Sequence, residues 1–317
     1  MGILSVRDLT ISFNLMGSLH PAVNGVSFDV ERNETLCIVG ESGCGKSITA
    51  LSIMGLLTPA AHLGGVIEYD GQNLLDMSEE HLETLRGDKL SMIFQEPMTS
   101  LNPVLKIGQQ ISEPLVFHKG MSQKDAWKEA RNLLELVRIP DAGARLNQYP
   151  HQLSGGMRQR VMIAIGLACK PDILIADEPT TALDVTIQAQ VLALLDEIRK
   201  EQDLSIIMIT HDLGVVANIA DRVAVMYAGD LVEIATVEDL FETPTHPYTQ
   251  ALLASIPRAD RADQLKPIRG QVPPIYRMPE GCRFSPRCDE ATEQCKIKPS
   301  LEGGLHQTRC WMRGEQK

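Results

Sequence analysis

GESGCGKS at residues 40–47 fits GxxxxGK[ST], a loop in which backbone N–H groups cradle phosphates, the lysine reaches the β and γ phosphates and the last hydroxyl meets Mg²⁺. Its flanks suit that reading. Residues 35–39 (TLCIV) read as a short buried strand, and residues 47–57 (SITALSIMGLL) as a helix whose N-terminus points at the anion. Gly43 and Gly45 let the backbone turn tightly where a Cβ would obstruct it. Gly40, Ser42, Gly43, Cys44, Gly45, Lys46, Ser47 and Ile48 are thus the candidate phosphate contacts, with Ser47 also facing the metal.

Composition narrows what such a site can serve. A chain of 317 residues holds one large domain with an appendage, or two modest ones. With 41 acidic against 30 basic residues the formal charge is -11, so no general nucleic-acid-binding surface is expected and the partners should be proteins. No apolar run approaches the roughly 18 residues of a membrane span. The opening MGILSVRDLT lacks the basic and apolar regions of a signal peptide, which predicts a cytosolic chain. Seven cysteines, an odd number, argue against a disulfide framework in a reducing compartment.

Upstream of the loop, residues 3–12 and 22–30 alternate as strands of a small N-terminal sheet. Phe13 lies beside them, placed either to stack on an adenine ring or to pack within the sheet. Residues 64–69 (GGVIEY) before Asp70-Gly71 form a strand ending in a turn, and 74–86 carry helical spacing. Residues 89–94 (KLSMIF) read as a buried strand running into Gln95-Glu96-Pro97, where a polar amide followed by a helix-breaking proline suits a mobile joint touching a metal or water.

Beyond it, residues 102–166 look like a helical insertion, with an amphipathic helix over 124–138 and punctuation at Pro140 and Pro150. It contains Ser154-Gly155-Gly156-Met157, a helix start that reads either as a second anion site or as a serine cap. Residues 172–177 (DILIAD) form an apolar strand that ends in Asp177 and Glu178. Burying two carboxylates there costs free energy unless metal or hydrogen bonds compensate, so Asp177 is the candidate Mg²⁺ ligand and Glu178 the group that polarises an attacking water. A turn with Asp184, a helix over 187–201 and a strand over 204–210 follow, and that strand ends at His211, placed to sense a γ phosphate.

From residue 259 the chain turns rich in Pro, Arg and polar residues, with little core of its own. Cys282, Cys288, Cys295 and Cys310 stand five, six and fourteen residues apart, a set of thiolates able to hold one metal centre, either a 4Fe-4S cluster or Zn²⁺, or else to remain free thiols. His306 is a substitute ligand for that centre. Cys37 and Cys169 sit in apolar surroundings and read as core.

The order and wording of these segments resemble the ATP-binding cassette (ABC) ATPases over residues 1–255: GESGCGKS, Gln95, LSGGM, DILIADE, the turn ALD and His211 occur in that family's order. Met157 departs from the Gln most common there, while the Ser-Gly-Gly is intact. The resemblance implies an α/β fold: a P-loop cassette with a RecA-like core, an N-terminal antiparallel β subdomain and a helical signature subdomain, with an irregular Cys-rich C-terminal extension. The expected boundaries are a nucleotide-binding domain over 1–258, its helical subdomain at about 102–166, and the extension over 259–317. It also implies that two cassettes face each other, so that Ser154, Gly155, Gly156 and Met157 complete the partner's ATP site, that Gln95 joins Ser47 and Asp177 at Mg²⁺, and that Glu178, Gln95 and His211 serve ATP hydrolysis.

Within that family, QEPMTSLNP (95–103), DEPTTALDVT (177–186) and THPYTQALLASIP (245–257) look like the oligopeptide, dipeptide and nickel importer subfamily, closest to its dipeptide-type ATPase. That likeness implies a bacterial importer built from this chain, a second paralogous ATPase subunit, two membrane permease subunits and an external peptide-binding protein. The chain would sit peripherally on the cytoplasmic face of the inner membrane. The likeness also favours a 4Fe-4S cluster at the four cysteines. Nickel import by the same subfamily and a soluble, non-transport ABC ATPase are the alternatives; a single cassette without sustained heptads speaks against the latter.

Overall fold

The computed structural model describes residues 2–96, 100–180, 183–255 and 268–313. Pro97, Ala182 of the ALD turn and the expected boundary at 258/259 lie outside the described residues. The chain divides into two compact units, Met1–Val30 with Thr35–Leu75 and Thr210–Lys317, and Glu31–Glu34 with Asp76–Ile209.

In the first unit an antiparallel sheet places Ser18–Val30, Leu4–Leu15, Ala61–Tyr69 and Gln72–Asn73 side by side in that order. Leu4, Val6, Leu9 and Ile11 are buried. Their alternation slips between Val6 and Leu9 because the register shifts there, with Asp8 at φ 46. The N-terminal strands are longer than expected. They meet in a two-residue turn, Met16 at φ 54 and Gly17 at φ 84, which pairs Leu15 with Ser18. A second set of strands runs Gln307–Thr308, Asp230–Thr236, Arg222–Tyr227, Thr35–Val39. Thr35–Val39 is buried throughout and lies parallel to Arg222–Tyr227, as a strand feeding a phosphate loop should. The helix after the loop spans Lys46–Ile53, shorter than the expected 47–57. The expected helical stretch 74–86 is two pieces, a single turn at Leu74–Asp76 and a helix at Glu79–Leu85, because Ser78 starts the helix anew by accepting the N–H of His81.

The second unit holds the parallel strands Ser205–Thr210, Ile173–Asp177 and Leu90–Ile93, each almost wholly buried. Around them lie the helices Ile107–Lys119, Gln123–Leu136, Ala142–Arg145, Gly155–Leu167 and Val185–Gln202. Ser122 caps Gln123–Leu136 by accepting the Asp125 N–H, and that helix buries Ala126, Ala130, Leu133 and Leu134 along one stripe. No helix among the described residues is long and apolar enough to cross a membrane.

Candidate functional site

The phosphate loop hangs between the buried strand Thr35–Val39 and the helix Lys46–Ile53. Gly40 has φ 156, and a Cβ there would come within 2.0 Å of the Met226 carbonyl oxygen, so no other residue fits without displacing backbone. Gly45 starts the helix at φ 110. Lys46 is only 5% exposed, and its Nζ donates to the carbonyl oxygens of Gly40 (2.9 Å) and Glu41 (3.1 Å), so the ammonium is held inside the loop's own curve. Cys44 is buried beside it, and burial raises its thiol pKa against the pull of Lys46. Ser47 is half-buried and Ser42 and Gly43 are exposed at the rim. Cradle, lysine and hydroxyl fit a nucleotide phosphate with its Mg²⁺.

Two residues that the sequence reading did not single out complete this loop. The Glu41 N–H donates to the Tyr248 hydroxyl at 3.1 Å, and the Glu41 carboxylate accepts from both terminal nitrogens of Arg287 at 2.9 and 3.1 Å. Tyr248 sits in the THPYTQ phrase and Arg287 directly before Cys288, the only local hints of either role. Phe13 is half-buried in the N-terminal sheet, paired with His20 and Ala61. His211 is exposed, and its neighbour Asp212 caps the helix Leu213–Ile219 by accepting the N–H groups of Gly214 and Val215.

In the second unit, Ile173–Asp177 delivers Asp177, 5% exposed, at its end. Glu178 follows at φ 47, a left-handed conformation that turns the chain sharply while its N–H donates to the Ile209 carbonyl at 2.8 Å. Gln95 Nε2 donates to Glu178 Oε2 at 2.9 Å, so the structure brings together two residues 83 positions apart that the sequence marks independently.

The signature segment forms its own concavity. Ser154 caps Gly155–Leu167, its Oγ accepting the Met157 N–H at 3.3 Å, and Asp184 caps Val185–Gln202, accepting the N–H groups of Thr186 and Ile187. Ser154, Gly155, Gly156, Met157 and Asp184 share a cavity of about 560 Å³. Arg160 lines it too and donates to the Val137 carbonyl and Gln190. The start of Gly155–Leu167 and the side chains of Arg138 and Arg160 favour an anion in this cavity, whereas the start of Val185–Gln202 is already occupied by the Asp184 carboxylate.

Within the first unit, the extension is bound to the N-terminal and β-strand segments by its own cations. Arg283, 5% exposed, donates to the carbonyl oxygens of Ala228 and Pro21, and Lys298 pairs with buried Asp230 at 2.7 Å. Cys282, Cys288, Cys295 and Cys310 line one small cavity of about 10 Å³, close to one water-sized sphere. Burial pushes the Cys282 thiol up to about 11 and also raises Cys288 and Cys310, while backbone N–H groups directed at these sulfurs pull the other way. No group of three or more His, Cys, Asp or Glu among the described residues stands arranged to hold a metal ion. His306, the expected substitute ligand, instead bonds Glu233 at 2.7 Å and is not part of that cavity. Cys37 and Cys169 are core residues, as expected.

Comparison with known proteins agrees with this geometry. The ABC transporter family pattern matches residues 23–181, and that of the oligopeptide/dipeptide transporter C-terminal region matches 232–295. The chain is 52% identical to the dipeptide transport ATP-binding protein DppD of Bacillus subtilis (strain 168), over 99% of this chain and 96% of that one. It is 50% identical to the oligopeptide transport ATP-binding protein OppD of Salmonella typhimurium, over 95% and 90% respectively. Among solved structures it resembles the ATP-binding cassette MJ0796 in a dimeric post-hydrolysis state bound to ADP and Pi, with a TM-score of 0.67 and 28% identity over 74% of this chain and 98% of that one. The chain is therefore an ABC-type ATPase and belongs to the ATP-binding subunits of the oligopeptide/dipeptide transporter family.

Proposed function

We propose that this chain hydrolyses ATP to drive import of dipeptides or short oligopeptides through a membrane assembly. The observation that carries this reading is the near full-length likeness to a dipeptide transport ATP-binding protein, together with family matches over 23–181, a range that includes the phosphate loop and the signature, and over 232–295. The assembly would join this subunit to a second, paralogous cassette and two permease subunits, served by an external peptide-binding protein. The subunit itself would lie peripherally on the cytoplasmic face of the membrane. Nickel import is the alternative cargo within the same family, since cargo choice rests with the other subunits.

Each residue has a defined task in this reading. Lys46 and the loop amides bind the β and γ phosphates, and Ile48 follows them in the first helical turn. Ser47 and Asp177, with Gln95, would hold Mg²⁺, which offsets charge on the phosphates. Glu178 orients the attacking water and accepts its proton, and Gln95, already bonded to it, carries the state of the metal site to the helical insertion. His211 contacts the γ phosphate and Phe13 the adenine. Ser154, Gly155, Gly156 and Met157, with Asp184 beside them, complete the site of the facing cassette. The nucleotide-binding domain spans 1–258, with its helical subdomain at about 102–166, and the extension spans 259–317.

The four cysteines would hold a single metal centre that orders the extension. Four thiols around one cavity, with backbone N–H groups directed at the sulfurs, suit thiolate ligation in donor chemistry. The thiols as they stand are not arranged around an ion, so either centre, a 4Fe-4S cluster or Zn²⁺, would require the sulfurs to rearrange on binding. Purification of the tagged chain from native membranes under anaerobic conditions tests both points. Recovery with two membrane subunits and a second cassette is expected, with one metal centre per chain, identified by iron, sulfide and zinc analysis. Recovery alone and metal-free would overturn the reading.

A further inference from the structure

The Cys-rich extension reaches the phosphate loop through one side chain. Arg287 closes the short turn Ser285–Arg287, which lies between Cys282 and Cys288, and it is 8% exposed. From there its guanidinium grips both oxygens of Glu41, the second residue of the phosphate loop. Its Nε donates to the Arg269 carbonyl at 2.8 Å, and its Cζ lies over the Tyr227 ring, 5.6 Å from the centroid. Tyr227, Tyr248 and Phe284 pack ring against ring beneath it. The fork is therefore fixed on every side before it meets the carboxylate.

Glu41 in turn fixes the loop. Its N–H is bonded to Tyr248 and its carbonyl accepts Lys46 Nζ, so both backbone groups of the residue are committed while Arg287 holds its side chain. The Cys44 N–H donates to that same carbonyl at 3.3 Å. Rotation of the Glu41 peptide would move the group that positions the phosphate-binding lysine.

We propose that Arg287 is a positioning residue for nucleotide binding: through Glu41 it locks the phosphate loop in the shape that presents Lys46 and the loop amides to ATP. The Cys282–Cys288 segment thereby serves the ATPase site as well as its own fold. The proposal rests on the ATPase reading above.

The test uses the full-length subunit and measures Mg·ATP affinity with a fluorescent analogue, alongside steady-state hydrolysis and thermal melting. Arg287→Gln is expected to weaken affinity about tenfold and raise KM to match, with kcat at saturation within about twofold. Glu41→Gln should do the same, and the double variant should be no worse than either single one, because both remove one interaction. Arg287→Lys should recover part of the loss. If Arg287→Gln does not fold, Glu41→Gln, at a partly exposed site, carries the test alone. Affinities within twofold of wild type in the variants that fold, or additive losses in the double variant, would overturn the proposal. Failure of the wild-type chain to bind Mg·ATP would instead contradict the ATPase reading, and the proposal with it.

Discussion

Gln95 Nε2 lies 2.9 Å from Glu178 Oε2, so the amide at the end of one buried strand restrains the carboxylate at the end of its parallel neighbour. The bond keeps Glu178 oriented while the Gln95 segment remains outside the strand ladder.

Glu178→Gln keeps the side-chain shape and removes the carboxylate that, in the proposed mechanism, accepts the proton of the attacking water. Hydrolysis should slow by about 10²–10⁴-fold while nucleotide binding persists. Turnover and equilibrium nucleotide binding on one preparation check this; near-normal turnover would remove Glu178 from its assigned role.

The φ of 47 at Glu178 predicts a reversal of the usual stability order. Glu178→Gly should be more stable than Glu178→Ala by about 1 kcal/mol, because a Cβ is strained in that conformation. Urea unfolding of the two inactive variants decides it.

Gly155 and Gly156 should separate. A Cβ on Gly155 meets open space, whereas one on Gly156 would lie 2.9 Å from Ile187 Cγ2. Gly155→Ala should therefore raise stability by up to about 1 kcal/mol through helix propensity, and Gly156→Ala should gain less or lose stability. If the Ser-Gly-Gly completes the ATP site of a facing cassette as proposed, both should also impair ATP hydrolysis by the assembled pair.

His246 predicts a stability change in mild acid. Burial pushes its imidazole down from 6.5 to about 4, and its Nδ1 accepts the Tyr248 N–H at 3.0 Å, which requires that nitrogen to be unprotonated. Between these two values the unfolded chain binds a proton that the folded chain does not. Stability is therefore intact above pH 6.5 and falls by roughly 3 kcal/mol as the pH drops toward 4. His246→Asn, which can cap the same helix without titrating, should flatten that limb in urea unfolding at pH 7, 6 and 5. An unchanged slope would exclude His246 as its source.

Much of this was legible locally. The buried strands over 35–39, 173–177 and 205–210 announce themselves as apolar runs ending in Gly40, Asp177 and His211, because parallel strands covered on both faces need continuous hydrophobicity. The strands Arg222–Tyr227 and Asp230–Thr236 are similarly apolar and flank a tight turn, but the sequence reading did not single them out. Ala228 at φ 47 occupies a position where Asn, Asp or Gly would give a turn signal. The Met16-Gly17 hairpin was hidden for the same reason. Arg287 and Glu41 are 246 residues apart, and no local pattern carries such a pairing. The four cysteines were visible as a set, but their spacing does not encode the single cavity that they line.

The most direct test of the central claim is the ATPase rate of the complex recovered from native membranes, with its external binding protein added empty or loaded with dipeptide, longer peptide or nickel. Stimulation several-fold by the peptide-loaded protein over the empty one is the predicted result. A rate indifferent to peptide, or raised only by nickel, would contradict peptide import as the work this ATPase performs.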